Sequence, residues 1–440
     1  MCNNLTRVSF RRVGIQLGQS VAHRAITNIM FFRARNLAVC AVLCAAIVPL
    51  GCSQSTPEIE HKDTPTSAPV AIVVAPKLPP RRDADDTARF MAGLPGKPDS
   101  PYLELESRPE WKEHAKRLDA AWERANRVLL SGLDEFQKQE LNDPAIHHAA
   151  TFYPFSGPDT LLVTYAFPQS PVYVLVGLEP PGTLPTPAQI DKQIEKRTMT
   201  GYLGDVRDTV ASILGRSFFI TKDMDSQFRG QVTDGLLMPM LELLVRSHFT
   251  IASFRYVRLD DDGRVVDREL KQPPTNRGVE IEFTSDADHS LHTLYYFTLN
   301  LSDERLKENK PFQTYIAGLK GFNTAFKATS YMTHHTEFSV IRNLVLNNSN
   351  TIVQDDSGMP YKFLVPDTWK VQLYGKYTQP FGVFKYWAEP DLAKAYAEPG
   401  VKPLPFRIGY GYSVIPSNEL VARRIHPLLA DATPPSPATK

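Results

Sequence analysis

The chain of 440 residues is 42% hydrophobic and 22% charged with a formal net charge of +1, a balance that excludes collagen-like, fully disordered and polytopic membrane classes. The charge is unevenly placed: residues 1–51 hold six Arg and no acidic side chain, so the remainder carries 43 basic against 48 acidic residues, a net −5. A faintly acidic body argues against nucleic-acid binding, and at about 100–200 residues per domain it has room for two or three cores.

Read from the N-terminus, Met30 to Arg35 supplies a short basic region, and Leu37 to Leu50 is an apolar run too short for a comfortable transmembrane helix. The run ends in Leu50-Gly51-Cys52 and turns polar at Ser53. This stretch resembles a bacterial lipoprotein signal, in which the cysteine after a small residue is lipidated and becomes the new N-terminus. It departs from that pattern at Pro49, where Leu is usual, and residues 1–29 extend the basic region so far that Met30 is the expected start. The same cues admit an ordinary secretory signal cut near Gly51 or an uncleaved anchor. By analogy with such lipoproteins, Ser53 favours the outer membrane, facing the periplasm or the surface. The four cysteines are Cys2, Cys40, Cys44 and Cys52, so the body offers no disulfide, thiolate zinc site or cysteine nucleophile.

Residues 52–101, with nine prolines after Cys52, are expected to be a semi-extended tether, with Val70 to Ala75 as the one apolar patch. Residues 102–149 follow as a helical segment. Ser107 and Glu110 have capping-box spacing, and Trp111, Ala115, Leu118, Trp122, Ala125 and Leu129 fall on one helical stripe. Ser131-Gly132 is a stop signal, with a short second helix over Leu133–Leu141. An apolar stripe of this kind faces a core more often than a partner.

The pattern then predicts an α/β fold, or α+β, built as two similar halves at residues 150–262 and 263–415. Thr160–Phe167 and Val172–Leu178 read as a hairpin. Helices are predicted over 188–214 and 236–247, and a strand over Phe249–Leu259 closed by a solvated Asp260-Asp261-Asp262-Gly263 turn. The second half repeats this order: strands at Val279–Phe283 and His292–Leu301, helices from Phe312 and over Phe338–Leu346, then strand-like Lys362–Val365 and Lys370–Tyr374. An offset of 113 residues pairs Tyr202 with Tyr315, Leu203 with Ile316, Val206 with Leu319, Arg207 with Lys320, Ser217–Phe219 with Ser330–Met332, and Arg229 with Arg342. That agreement suggests an internal duplication, with a ligand cleft between the halves. Residues 416–440 read as a loose tail.

The segments Phe152–Asp159, Gly177–Gly182, Val353–Tyr361 and Pro405–Tyr412 resemble a family of uncharacterised bacterial predicted lipoproteins and exported proteins. The resemblance implies membership only and carries no catalytic residues.

Candidate chemistry is sparse. Ser156 and Asp159 suit a turn, or a nucleophile with an acid or base, although Tyr153-Pro154-Phe155-Ser156-Gly157 lacks the first glycine of a nucleophile elbow. Asp355 and Asp356 suit a solvated Asp-Ser-Gly turn, or a pair of carboxyls at a strand end that binds a cation or serves as acid and base. His334-His335 and His147-His148 are adjacent pairs, and neighbouring residues point apart on a strand or helix, so neither pair suits joint chelation. No His-Glu-x-x-His, P-loop or dinucleotide loop occurs, so no metal and no cofactor is expected. Arg216, Lys222, Lys327 and Arg342 flank the repeat blocks and would hold an anion if they converged. The resulting expectation is an envelope lipoprotein held to the membrane by its N-terminal lipid, binding a small ligand or an envelope protein. The alternatives are an envelope hydrolase using Asp355 and Asp356 with Ser156 or a histidine, and a structural envelope protein.

Overall fold

A computed structural model describes residues 83–216, 235–268, 276–412 and 417–429. Residues 1–82 with all four cysteines and the Val70–Ala75 patch, together with Lys222 and Arg229, therefore lie outside the described residues. The short segment Pro380–Ala388, with the 3-10 stretch Gly382–Trp387, separates as a unit of its own from the body discussed below.

The body is a mixed α/β structure around one ten-stranded sheet. Its strands are β1 (Thr151–Tyr153), β2 (Val172–Gly177), β3 (Phe249–Leu259), β4 (Val265–Asp267), β5 (Arg277–Ser285), β6 (Leu291–Thr298), β7 (Phe322–Phe326), β8 (Ser349–Gln354), β9 (Trp369–Gly375) and β10 (Asn418–Arg424). Their order is β4-β3-β5-β6-β2-β1-β7-β8-β10-β9. The central run β6-β2-β1-β7-β8 is parallel throughout, and antiparallel strands extend it on both sides.

The central strands are buried on both faces, which their β-branched and aromatic composition suits. Alternation then sends successive side chains to opposite cores: Phe152, Val174, Val176 and Ile352 to one, Tyr153, Tyr173, Leu175 and Val353 to the other. Helices Pro109–Ala125, Thr160–Ala166, Met199–Arg216 and Leu237–Arg246 cover the second face, and helices Lys310–Gly318 and Ser339–Asn348 cover the first. No helix among the described residues is long and apolar enough to cross a membrane.

Several expectations are corrected. Thr160–Phe167 is a helix, not the first strand of a hairpin, and β1, this helix and β2 form a parallel crossover. Six of its seven residues are buried, so periodicity carries no signal and tertiary packing overrides the β-branched composition. Ser107 does not cap the long helix; its Oγ donates to Glu104 O at 2.6 Å, and Arg108 stands at the N-cap. Nor does Ser131-Gly132 stop it, because the chain passes through a π turn, Asn126–Leu130, into helix Ser131–Glu140. Gly132 is present for a different reason: a Cβ there would meet Pro405 O at 2.5 Å. Lys362–Val365 is not a strand: Lys362 and Phe363 lie in the 3-10 turn Tyr361–Phe363.

The expected domain limits shift as well. The stretch read as tether through residue 101 already contains the buried helix Asp83–Met91, whose Asp85 accepts a hydrogen bond from Ile251 N at 2.8 Å. The apolar stripe of helix Pro109–Ala125 packs chiefly on helix Met199–Arg216, and its Trp111 Nε1 donates to Phe90 O of the Asp83–Met91 helix at 3.0 Å. The C-terminal stretch read as tail supplies β10, between β8 and β9. Two separate halves do not form. β3 and β4 pair across the proposed boundary, β6 of the second half lies beside β2 of the first, and helices Met199–Arg216 and Lys310–Gly318, which carry the first matched blocks, pack on opposite faces.

Candidate functional site

From β1 the chain passes to β2, crosses to the outer β3 and β4, comes back through β5 to β6 beside β2, then crosses to β7 on the other side of β1 and continues to β8. At such a reversal the loops leaving adjacent parallel strands diverge to opposite faces and open a crevice at the carboxyl ends. Here the crevice lies where β1 and β7 end, at Tyr153 and Phe326.

The loop after β1 turns sharply, with Phe155 at φ 61° and Gly157 at φ 54°. Ser156 ties it to β2: its N–H donates to Val176 O at 2.9 Å and its Oγ accepts from Val176 N at 3.0 Å. The hydroxyl itself donates to Gly157 O at 3.0 Å. Ser156 is thus bound to backbone, and among the described residues its hydroxyl donates to carbonyls and to no side-chain base. Gly177 ends β2 because a Cβ there would lie 3.2 Å from Gly157 Cα and 2.5 Å from Tyr296 Oη.

Asp159 closes this loop. It caps helix Thr160–Ala166, accepts from Tyr153 OH at 3.1 Å and pairs with Lys327 Nζ, the residue that follows β7. Both partners are buried, Asp159 at 1% and Lys327 at 6% exposure. Burial, and next the Asp159 charge, push the Tyr153 phenol well above its ordinary range, so it stays protonated and donates.

The chain after Lys327 takes left-handed backbone at Ala328, Ser330 and Tyr331, conformations that cost energy for residues other than glycine. Asp355, after β8, holds this loop. Its Oδ2 accepts from Ala328 N at 2.8 Å, and its Oδ1 accepts from Ser357 N at 3.0 Å and Ser357 Oγ at 2.5 Å. Burial, with Asp356 alongside, raises Asp355 to about 7. Asp356 accepts from Tyr331 OH at 2.5 Å and Asn418 Nδ2 at 3.0 Å, and burial raises it too. Gly409, at φ 56°, packs its backbone on Asp355 Oδ2, and Tyr410 OH accepts from Ser330 N while donating to Ala328 O, both at 3.1 Å. Neither Asp355 nor Asp356 is the solvated turn of the sequence reading.

The result is a cavity of about 170 Å³ at the carboxyl ends of β1, β2, β6 and β7. Asp159, Lys327, Ser156, Glu179, Asn300 and Ser330 supply its polar groups, and Phe155, Leu178, Leu301, Met332 and Phe338 its apolar ones. Asp355, Asp356 and Ser357 are not among its walls; they lie beneath Ala328–Ser330 and support them.

The other candidates lie elsewhere. His334 faces Glu389 at 3.9 Å; burial lowers the histidine to about 4 and raises the carboxyl to about 7, so near neutrality the histidine is uncharged and this contact is not an ion pair. His335 packs beside Phe338. Arg342 donates to Thr333 O at 2.7 Å and stacks over Phe363, so it holds backbone and does not converge with Lys327 on an anion. The side chain of Arg216 lies outside the described residues. No group of three or more His, Cys, Asp or Glu among the described residues is arranged to hold a metal.

Sequence reasoning missed Glu179 and Glu419. Glu419 sits on β10, is 1% exposed, and burial raises it well above the carboxylate range. A lone acid in a strand reads as solvent-facing when its neighbours in the sheet are unknown. No protein-family model, curated protein or solved structure matches the chain.

Proposed function

We propose that this protein is a bacterial envelope lipoprotein that binds a small molecule in the cavity at the carboxyl ends of β1, β2, β6 and β7. The observation that carries the binding reading is the Lys327–Asp159 pair, a buried charge pair opening on a mostly apolar hollow at the chain reversal. Sites for small molecules combine these elements: apolar walls that exclude water and a few fixed polar groups that orient the guest. A cavity of about 150 Å³ admits a benzene-sized molecule. The leader ending in Cys52 supports the envelope assignment.

The test places bulk at the mouth. Leu178 lines the cavity yet is 59% exposed, so Leu178→Trp narrows the opening without disturbing a core. Native mass spectrometry of the full chain, extracted gently from membranes, should show a small adduct on the wild type that is lost from Leu178→Trp. An adduct retained by both, or a wild type that never carries or takes up a small molecule, would overturn the reading.

A further inference from the structure

We propose that the guest of this cavity is a small organic cation, an ammonium group on an apolar body. The inference rests on the binding reading above and adds the chemical class of the ligand.

The charge around the hollow argues for it. Lys327 is the one cationic side chain among the described lining residues, and its charge is committed to Asp159. Glu179 then remains as a second lining carboxylate that forms no ion pair among the described residues. Its Oε1 is buried and accepts no hydrogen bond among the described residues, while its Oε2 folds back over the end of β2, where it would stand 3.2 Å from a Cβ on Gly177. The main-chain carbonyl of the same residue is held by Tyr296 OH at 2.7 Å and Thr298 Oγ1 at 2.9 Å, so the stem of Glu179 is anchored and its carboxylate positioned. A buried acceptor oxygen without a donor is costly, and a donor on the guest relieves that cost.

An anionic guest would meet Glu179 directly and find Lys327 already paired. A cationic guest gains a charge-assisted bond to Glu179 and sets its body against Phe155 and Phe338, whose rings lie edge to face at 5.6 Å and offer an aromatic surface to a cation.

The probes are benzylamine and n-butylamine, with benzyl alcohol, n-butanol and benzoate as uncharged and anionic counterparts of similar size. Each is titrated into the full chain in detergent at neutral pH, with wild type, Glu179→Gln and Leu178→Trp compared by calorimetry and saturation-transfer NMR. The amines should bind wild type at least about tenfold more tightly than the alcohols, the worth of one bond to a charged group. Glu179→Gln should reduce that ratio to near one, because the amines lose more affinity than the alcohols. Alcohols or benzoate binding as tightly as amines, or a ratio that survives Glu179→Gln, overturns the cation assignment and leaves the binding reading standing. If no probe of any charge binds and Leu178→Trp changes nothing, the binding reading fails and the cation assignment goes with it.

Discussion

Lys327 and Asp159, distant in sequence, form a buried ion pair where β7 and β1 end side by side. Each is the counter-charge of the other, and Tyr153 OH donates a third bond into the pair. Removing one partner leaves an uncompensated buried charge, so Lys327→Met should destabilise the fold by about 3–5 kcal/mol. Asp159→Asn added to Lys327→Met should cost less than the sum of the two single changes, by about 1–3 kcal/mol of coupling. Urea denaturation of the four proteins measures this, and strict additivity would show that the two residues do not interact.

Ser156 is a fastener of backbone. Ser156→Ala leaves Val176 N–H without its acceptor in a buried place and should cost about 1–3 kcal/mol of stability. Affinity for a cavity ligand should change by no more than about twofold, a loss well under one hydrogen bond. A collapse of binding with unchanged stability would restore Ser156 to a chemical role.

The stability of the protein should carry a signature of Asp355. Burial and Asp356 raise this carboxyl from 3.8 to about 7. Between those values the folded chain keeps a proton that the unfolded chain has released, so this contribution to stability is full below the lower value and is lost as pH rises through the upper one. Glu389, raised to about 7, acts in the same sense, and His334, lowered to about 4, acts in the opposite sense. Comparison with Asp355→Asn isolates the first group: whatever constant offset the amide adds, the wild type should lose stability relative to the variant as pH climbs from about 4 to 7. Parallel curves for the two proteins across that range would contradict a raised Asp355.

Gly409 and Gly400 both have positive φ, 56° and 106°, but only Gly409 has a neighbour where a Cβ would stand, the carboxylate of Asp355. Gly400→Ala should cost about 1 kcal/mol from backbone strain alone, whereas Gly409→Ala adds a steric and polar clash and should cost about 3 kcal/mol or more. Thermal melts of the two variants decide the point, and equal losses would show that the Gly409 loop does not rest on Asp355.

Cys52→Ser should move the protein from the membrane fraction to the soluble one, because a single serine cannot carry the acyl chains of a lipoprotein N-terminus. Fractionation of cells expressing both forms reads this directly. Unchanged membrane association would remove lipid anchoring through Cys52.

What the sequence disclosed tracks how elements meet solvent. Helix Pro109–Ala125 buries Trp111, Leu118 and Ala125 and exposes the opposite side, so its period is written in the residues. Helix Thr160–Ala166 is surrounded, and its β-branched residues imitate a strand. Asp355 and Asp356 were legible as carboxyls at a strand end, Asp159 as a turn residue and Lys327 as a basic residue beside a repeat block, but not which two would pair, since adjacency across β1, β7 and β8 is set by strand order. Arg342 could not be separated from Lys327 on sequence, yet one holds carbonyls and the other a carboxylate. The repeat at an offset of 113 misled because short matches of common residues do not encode pairing partners.

The insertion of β10 between β8 and β9 sets a timetable for folding. Among the described residues β9 has β10 as its one strand neighbour, so apart from its bridge to Lys402 it waits for residues 418–424 before it joins the sheet. A polypeptide emerging N-terminus first thus exposes the unfinished flank of β8 until this late segment arrives, and such distant closures are slow.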